Sequence, residues 1–152
     1  MLTVNTKAYG IIDIDERQKL YFPYGIFGFE TLKDFVLFDA VQQPFYWLQS
    51  LEVKETAFVL INPLVVRKDY KLDIISGDLE EIDLNGPDDE NILMFAIVTI
   101  PENHKRMSAN LQGPIVINKE KKIGRQTITV EPKWKTKHFI LDELSGGGDK
   151  AC

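Results

Sequence analysis

Two histidines, one cysteine and a surplus of carboxylates are the raw material for chemistry in this 152-residue chain. His104 and His138 each stand beside a lysine, Lys105 and Lys137. Both read as solvent-exposed side chains, not general bases. Cys152 is the last residue, in a glycine-rich stretch, whereas a nucleophilic thiolate needs a preorganised setting. There is no Gly-x-Ser-x-Gly elbow, His-Glu-x-x-His pair, Cys-x-x-Cys pair or Walker loop. Gly25 and Gly28 lack the fuller pattern and basic neighbour of a phosphate loop. Asp13 and Asp15 would share one face of a strand, and Asp88, Asp89 and Glu90 follow a Gly-Pro turn. Neither group has the ligand spacing of a calcium loop. No catalytic residue, cofactor or metal is expected. The one hydrolase reading would need a pocket that gathers these carboxylates and raises their pKa.

Charge is better organised than catalytic chemistry. Residues 78–90 hold seven acidic side chains and no basic one, and residues 119–137 hold seven basic side chains against Glu120 and Glu131. Such runs read as solvated faces, or as a polarised surface whose acidic half steers and holds a basic protein. The net charge of −5 argues against nucleic acid or an anionic membrane as the main partner. Trp134 among the lysines keeps one alternative open: a small RNA-binding β domain that uses residues 119–137, with Trp134 as a stacking platform.

The elements that must carry these groups are short. A chain of this length suggests one domain, burying about 70% of its unfolded surface. A single cysteine allows no internal disulfide, which suits a reducing compartment. The opening residues do not read as a signal peptide, and the longest apolar stretch, residues 92–100, is about half of what a spanning helix needs. A cytoplasmic location is expected. Residues 2–14 alternate as one or two strands, with Ile12 and Ile14 on one face and Ile11 and Asp13 on the other. A polar turn at 15–18 and a short strand at 19–22 complete an N-terminal hairpin.

Five aromatic residues, Tyr21, Phe22, Tyr24, Phe27 and Phe29, surround the next glycine-bent loop. They read as an aromatic mini-core, with an exposed partner-binding patch as the alternative. A helical turn is predicted at 31–34, and strands at 35–38, 45–48, 57–61, 91–99 and 125–130. A short helix is predicted at 78–84, capped by Asp78 with Glu81 in the capping-box position. In residues 108–118 the Gly113-Pro114 pair should precede a core strand that starts at or just after Pro114. Asn110 and Gln112 would tie that turn to backbone or present hydrogen bonds outward. Residues 145–152 read as a flexible tail. The pattern predicts a mainly β domain over residues 1–144: one antiparallel, barrel-like unit with one or two short helices.

Four stretches, in order, resemble the FliW family of bacterial flagellar assembly factors. They are FPYGIFGFE at 22–30, PFYWLQS at 44–50, the aliphatic strand ending in Asn62-Pro63, and SANLQGPIVIN at 108–118. The resemblance implies a compact β-barrel-like fold and a non-enzymatic, chaperone-like role. It implies binding of flagellin in the cytoplasm, and of CsrA, a translational repressor of flagellin synthesis. Held by the factor, CsrA would be relieved of its repressing role until flagellin accumulates. On that reading Tyr46, Gln49, Asn62, Asn110 and Gln112 are outward-facing binding groups. Glu80, Glu81, Asp83, Asp88 and Asp89 make an acidic contact with CsrA. No direct contact with nucleic acid or membrane is expected, and the simplest state is a monomer.

Overall fold

The computed structural model describes residues 1–146. The apolar runs fold as strands: β1 (Leu2–Thr6), β2 (Gly10–Ile14), β3 (Lys19–Tyr21), β4 (Asp34–Asp39), β5 (Tyr46–Ser50), β6 (Ala57–Ile61), β7 (Ile92–Thr99), β8 (Ser108–Asn118), β9 (Ile123–Gln126) and β10 (His138–Phe139). Strands β3 to β9 close into a seven-stranded barrel, because β9 pairs with both β8 and β3. Each pairing in it is antiparallel except the closing one, where Tyr21 and Ile123 meet in parallel. Closure leaves the barrel without an open edge in its wall. Among the described residues the helices are short: α1 (Pro63–Val66), α2 (Ser76–Glu80) and α3 (Ile140–Leu144).

Leu20, Phe22, Phe35, Leu48, Leu60, Phe95, Ile115 and Ile117 fill the interior. The outer wall is also apolar, because other segments cover it. Val4 and Ile14 of the β1–β2 hairpin pack on Val36 and Phe38. Val66, Tyr70, Trp134 and Ile140 pack on Ile61, Ala96, Val98, Ala109 and Leu111. Leu79, Ile82 and Leu84 pack on Val116. Strands covered on both faces read as unbroken apolar runs, hence the apolar runs of β4, β6 and β7 and of residues 115–117 in β8.

Several local expectations change. The N-terminal hairpin is β1 with β2 alone, in register from Leu2↔Ile14 to Thr6↔Gly10, and β3 joins the barrel instead. Ile14 is buried and Ile11 exposed, so the predicted faces hold. Residues 31–34 form no helical turn, since Asp34 already starts β4. The predicted 78–84 helix begins earlier, at Ser76, and ends at Glu80; its N-cap is Ile75, with no side-chain cap. Asp78 therefore lies in the first turn and does not cap. The strand predicted at 125–130 is instead β9 at Ile123–Gln126. Residues 127–130 lie beyond it, where Thr129 forms an isolated bridge to Ile74, with Thr127 and Thr129 buried and Ile128 and Val130 exposed. Ser145 and Gly146 end α3, and the rest of the predicted tail lies outside the described residues.

β8 does not begin at Pro114. It runs unbroken for eleven residues through Gly113-Pro114. The register against β7 jumps from Phe95↔Ile115 to Ile97↔Asn110, so Ala96 alone faces residues 111–114. Proline is tolerated in such a bulge because no ladder donor is needed there.

Candidate protein-docking surface

The acidic segment is held to the barrel by its apolar residues. Leu79, Ile82 and Leu84 are each no more than 2% exposed, which turns Glu80, Glu81, Asp83 and Asp88 to solvent. Asn118 on β8 secures the far end, its amide donating to the carbonyls of Ile82 and Asp83 at 2.9 and 3.2 Å. Asp83 adopts φ of 61° and lies 3.7 Å from Lys121. Asp89 faces inward to its own loop. It accepts from the Asn85 and Asn91 amides at 3.0 and 2.9 Å, and these bonds hold its carboxyl below the usual range.

Residues 125–128 join this segment to the aromatic loop. Arg125 pairs with Glu81, lies 3.7 Å from Asp78, and stacks 4.7 Å over the Tyr24 ring. The Gln126 side chain accepts from the Phe27 amide at 3.0 Å and donates to the Gly113 carbonyl at 2.9 Å. The Thr127 hydroxyl donates to Asp78. Thr129 bridges to Ile74, and the flanking Ile75 and Ile128 are both more than half exposed.

The aromatic loop is not a mini-core. Only Phe22 is buried among the five aromatic residues; Tyr21, Tyr24, Phe27 and Phe29 are 40–49% exposed. The loop itself is tightly built. Gly25 has φ of +66°, and a Cβ there would lie 2.5 Å from the Glu30 Cα. Ile26 is buried and pairs with Phe29 in an isolated bridge. Glu30 accepts from the Gly28 amide, and Lys33 donates to the carbonyls of Pro23 and Glu30. The fold spends Phe22 and Ile26 on the interior and keeps Tyr24 and Phe27 outside.

The chain as a whole is similar to known proteins. The family model described as FliW protein matches residues 3–140. The chain belongs to the FliW family. A flagellar assembly factor FliW of Treponema denticola is 41% identical over 97% of this chain and 99% of its own length. Another, of Caldanaerobacter subterraneus, is 42% identical over 94% of this chain and 95% of its own. A crystal structure of the flagellar assembly factor FliW superposes with a TM-score of 0.82 at 36% identity, covering 91% of this chain and 96% of that one.

Within this FliW fold the five polar candidates go to different places. Tyr46 turns inward, its ring centroid 5.1 Å from that of Phe95. Gln49 is 1% exposed: it accepts from the Lys7 amide at 2.9 Å and donates to the Ser50 and Lys54 carbonyls. It thus ties the β1–β2 hairpin to β5 and does not face outward. Asn62 is exposed, but its side chain caps α1 through the Leu64 amide at 2.9 Å. Asn110 accepts from the Gln112 and Gly113 amides at 3.0 and 2.8 Å and so closes the β8 bulge. Gln112 is half-buried beside it. The structure gathers the bulge pair, Asn110 and Gln112, but not the five. Sequence reasoning missed Arg125 as the connection between aromatic and acidic groups, since the partners lie 44 and 101 positions away.

The basic half is corrected most. Trp134 is 2% exposed, packed against Tyr70 with Arg67 and Lys133 over its ring. It offers no stacking face to a nucleic acid. His138, expected at the surface, is buried. Its Nε2 accepts from the Lys135 amide at 2.8 Å, which leaves Nδ1 to donate to Glu143 at 3.0 Å. The hydrolase carboxylates are scattered: Asp13 accepts from Thr3, Asp15 caps the 3-10 turn at 16–18, and Asp89 caps its loop. Arg17 holds the Asp15 carboxyl well below the usual range, the opposite of a carboxylate poised as an acid. Among the described residues no group of three or more His, Cys, Asp or Glu side chains could hold a metal, and no helix is long and apolar enough to cross a membrane.

Proposed function

We propose that this chain is a cytoplasmic, non-enzymatic partner switch that binds flagellin and binds CsrA. While flagellin is scarce the chain holds CsrA and relieves its repression of flagellin synthesis. Flagellin that accumulates withdraws the chain, and CsrA represses again. The observation that carries this reading is the acidic segment, packed on the barrel through its leucines and isoleucine with Glu80, Glu81, Asp83 and Asp88 turned to solvent. Such a surface suits a basic protein partner and repels nucleic acid. Membership of a family of flagellar assembly factors supports it. The chain acts as a monomer, and binding one partner lowers its affinity for the other.

Titration calorimetry of the chain against flagellin monomer, and against CsrA, each alone and with the other present, tests the switch. Binding to each, weakened by the other, is the expected result. Absence of binding to both folded partners would overturn it.

A further inference from the structure

We infer that residues 125–128 form the spine of one composite docking surface, on which Tyr24 and Phe27 are the anchors for a basic, amphipathic segment of a protein partner. This rests on the proposal that the chain works by binding proteins, and it names the part of the surface that does so.

The spine brings together groups far apart in sequence. Gln126 holds the Phe27 amide, Arg125 lies over Tyr24 and pairs with Glu81, Thr127 binds Asp78, and exposed Ile128 and Ile75 flank the Thr129–Ile74 bridge. Across the surface the order is therefore aromatic, acidic, aliphatic. Exposed aromatic rings are unusual where no partner covers them, and Tyr and Phe are efficient anchors because they add area with few rotors. Here the loop beneath them is already fixed by Gly25, by Ile26 and by the Lys33 bonds to two carbonyls. Binding would order little, so less of the interaction is lost to entropy.

Charge selects the occupant. Arg125 is the one basic side chain of the spine, and Glu81 and Asp78 already neutralise it. Glu80 and Asp88 remain exposed carboxylates in the acidic segment that Arg125 and Thr127 hold. A segment that buries leucines or isoleucines on the rings and sets lysines or arginines over the carboxylates matches both features. An acidic segment matches only the first.

The test uses the full chain and three ligands: a synthetic amphipathic helix of leucines and lysines, flagellin, and CsrA. Tyr24→Ser with Phe27→Ser should weaken the peptide about tenfold or more. Glu80→Lys should weaken it less and flatten its dependence on salt. An unchanged thermal melt for each variant keeps the comparison interpretable, and Phe27→Ser alone serves if the double variant melts early. Wild-type binding that ignores both substitutions, or no binding of the peptide at all, overturns the surface. If flagellin and CsrA bind the double variant as they bind wild type, the surface falls and the partner switch stands. If neither partner binds wild type while the peptide binds through the rings, the switch falls and the surface stands.

Discussion

Gln49 shows how a polar residue in a characteristic motif can serve the fold. Its side chain supplies the acceptor for the Lys7 amide, and its two donated bonds leave no amide hydrogen in search of a partner. Gln49→Leu should cost about 1–3 kcal/mol, the penalty for stranding a buried donor, read as a lower urea midpoint with an unchanged slope. Tyr70 is a second case. Its hydroxyl donates to the Leu111 carbonyl at 2.9 Å, and burial pushes the phenol well above its ordinary value. Above about pH 10 the unfolded tyrosine ionises while the folded one keeps its proton. Its contribution to stability is therefore complete below that pH and falls as pH rises toward the folded value. Tyr70→Phe should flatten this alkaline loss in melts taken on either side of pH 10. Residue types alone showed that Gln49 and Tyr70 could hydrogen-bond. Their direction was not legible: Gln49 sits on a strand whose two faces are both covered, and Tyr70 sits in a loop whose partner, the Leu111 carbonyl, is 41 positions away.

At the scale of elements, the β8 bulge and the aromatic loop each depend on one residue that nothing else replaces. Asn110 satisfies two amides where four residues of β8 oppose only Ala96. Asn110→Ala should destabilise the barrel by about 1–3 kcal/mol and speed amide exchange first at Gln112 and Gly113. Gly25 occupies a left-handed conformation against Glu30. Gly25→Ala should cost more than about 1 kcal/mol and weaken partner binding through misplaced rings, measured against the same variant's melt. The strands at 35–38, 57–61 and 91–99 were legible because apolar β-branched and aromatic runs fit a pleated, buried sheet. The helix at 76–80 was predicted to start two residues late and end four residues late, because Asp78 looks like a cap from sequence alone. In the fold it is claimed by Thr127 and Arg125, more than forty positions away.

For the whole molecule, charge and closure matter most. The acidic segment and the basic residues 119–137 were separable by counting, but the fold partly interleaves them: Arg125 meets Glu81, and Lys121 approaches Asp83. What remains for a partner is the exposed acidic remainder. Glu80→Lys with Asp88→Lys should slow association with a basic partner several-fold at low salt and leave dissociation nearly unchanged, a split that stopped-flow kinetics would resolve. Equal effects on both rates would place these carboxylates inside the contact and not at its rim.

Composition and patterning by themselves determined a mainly β chain, an acidic balance and the approximate strands, which follow from properties that neighbouring residues already express: branching at Cβ, apolar runs, and turn residues. The family was legible separately, from the resemblance of four ordered stretches. Tertiary structure alone decided that β9 closes the barrel against β3, that the outer wall is covered, that His138 and Trp134 are buried, and that Tyr24 and Phe27 are not. The physical reason is that burial belongs to pairs of segments. Two equally aromatic residues two positions apart, Phe22 and Tyr24, part company because one meets Phe35 inside the barrel while the other lies under the Arg125 guanidinium with about half of its surface exposed.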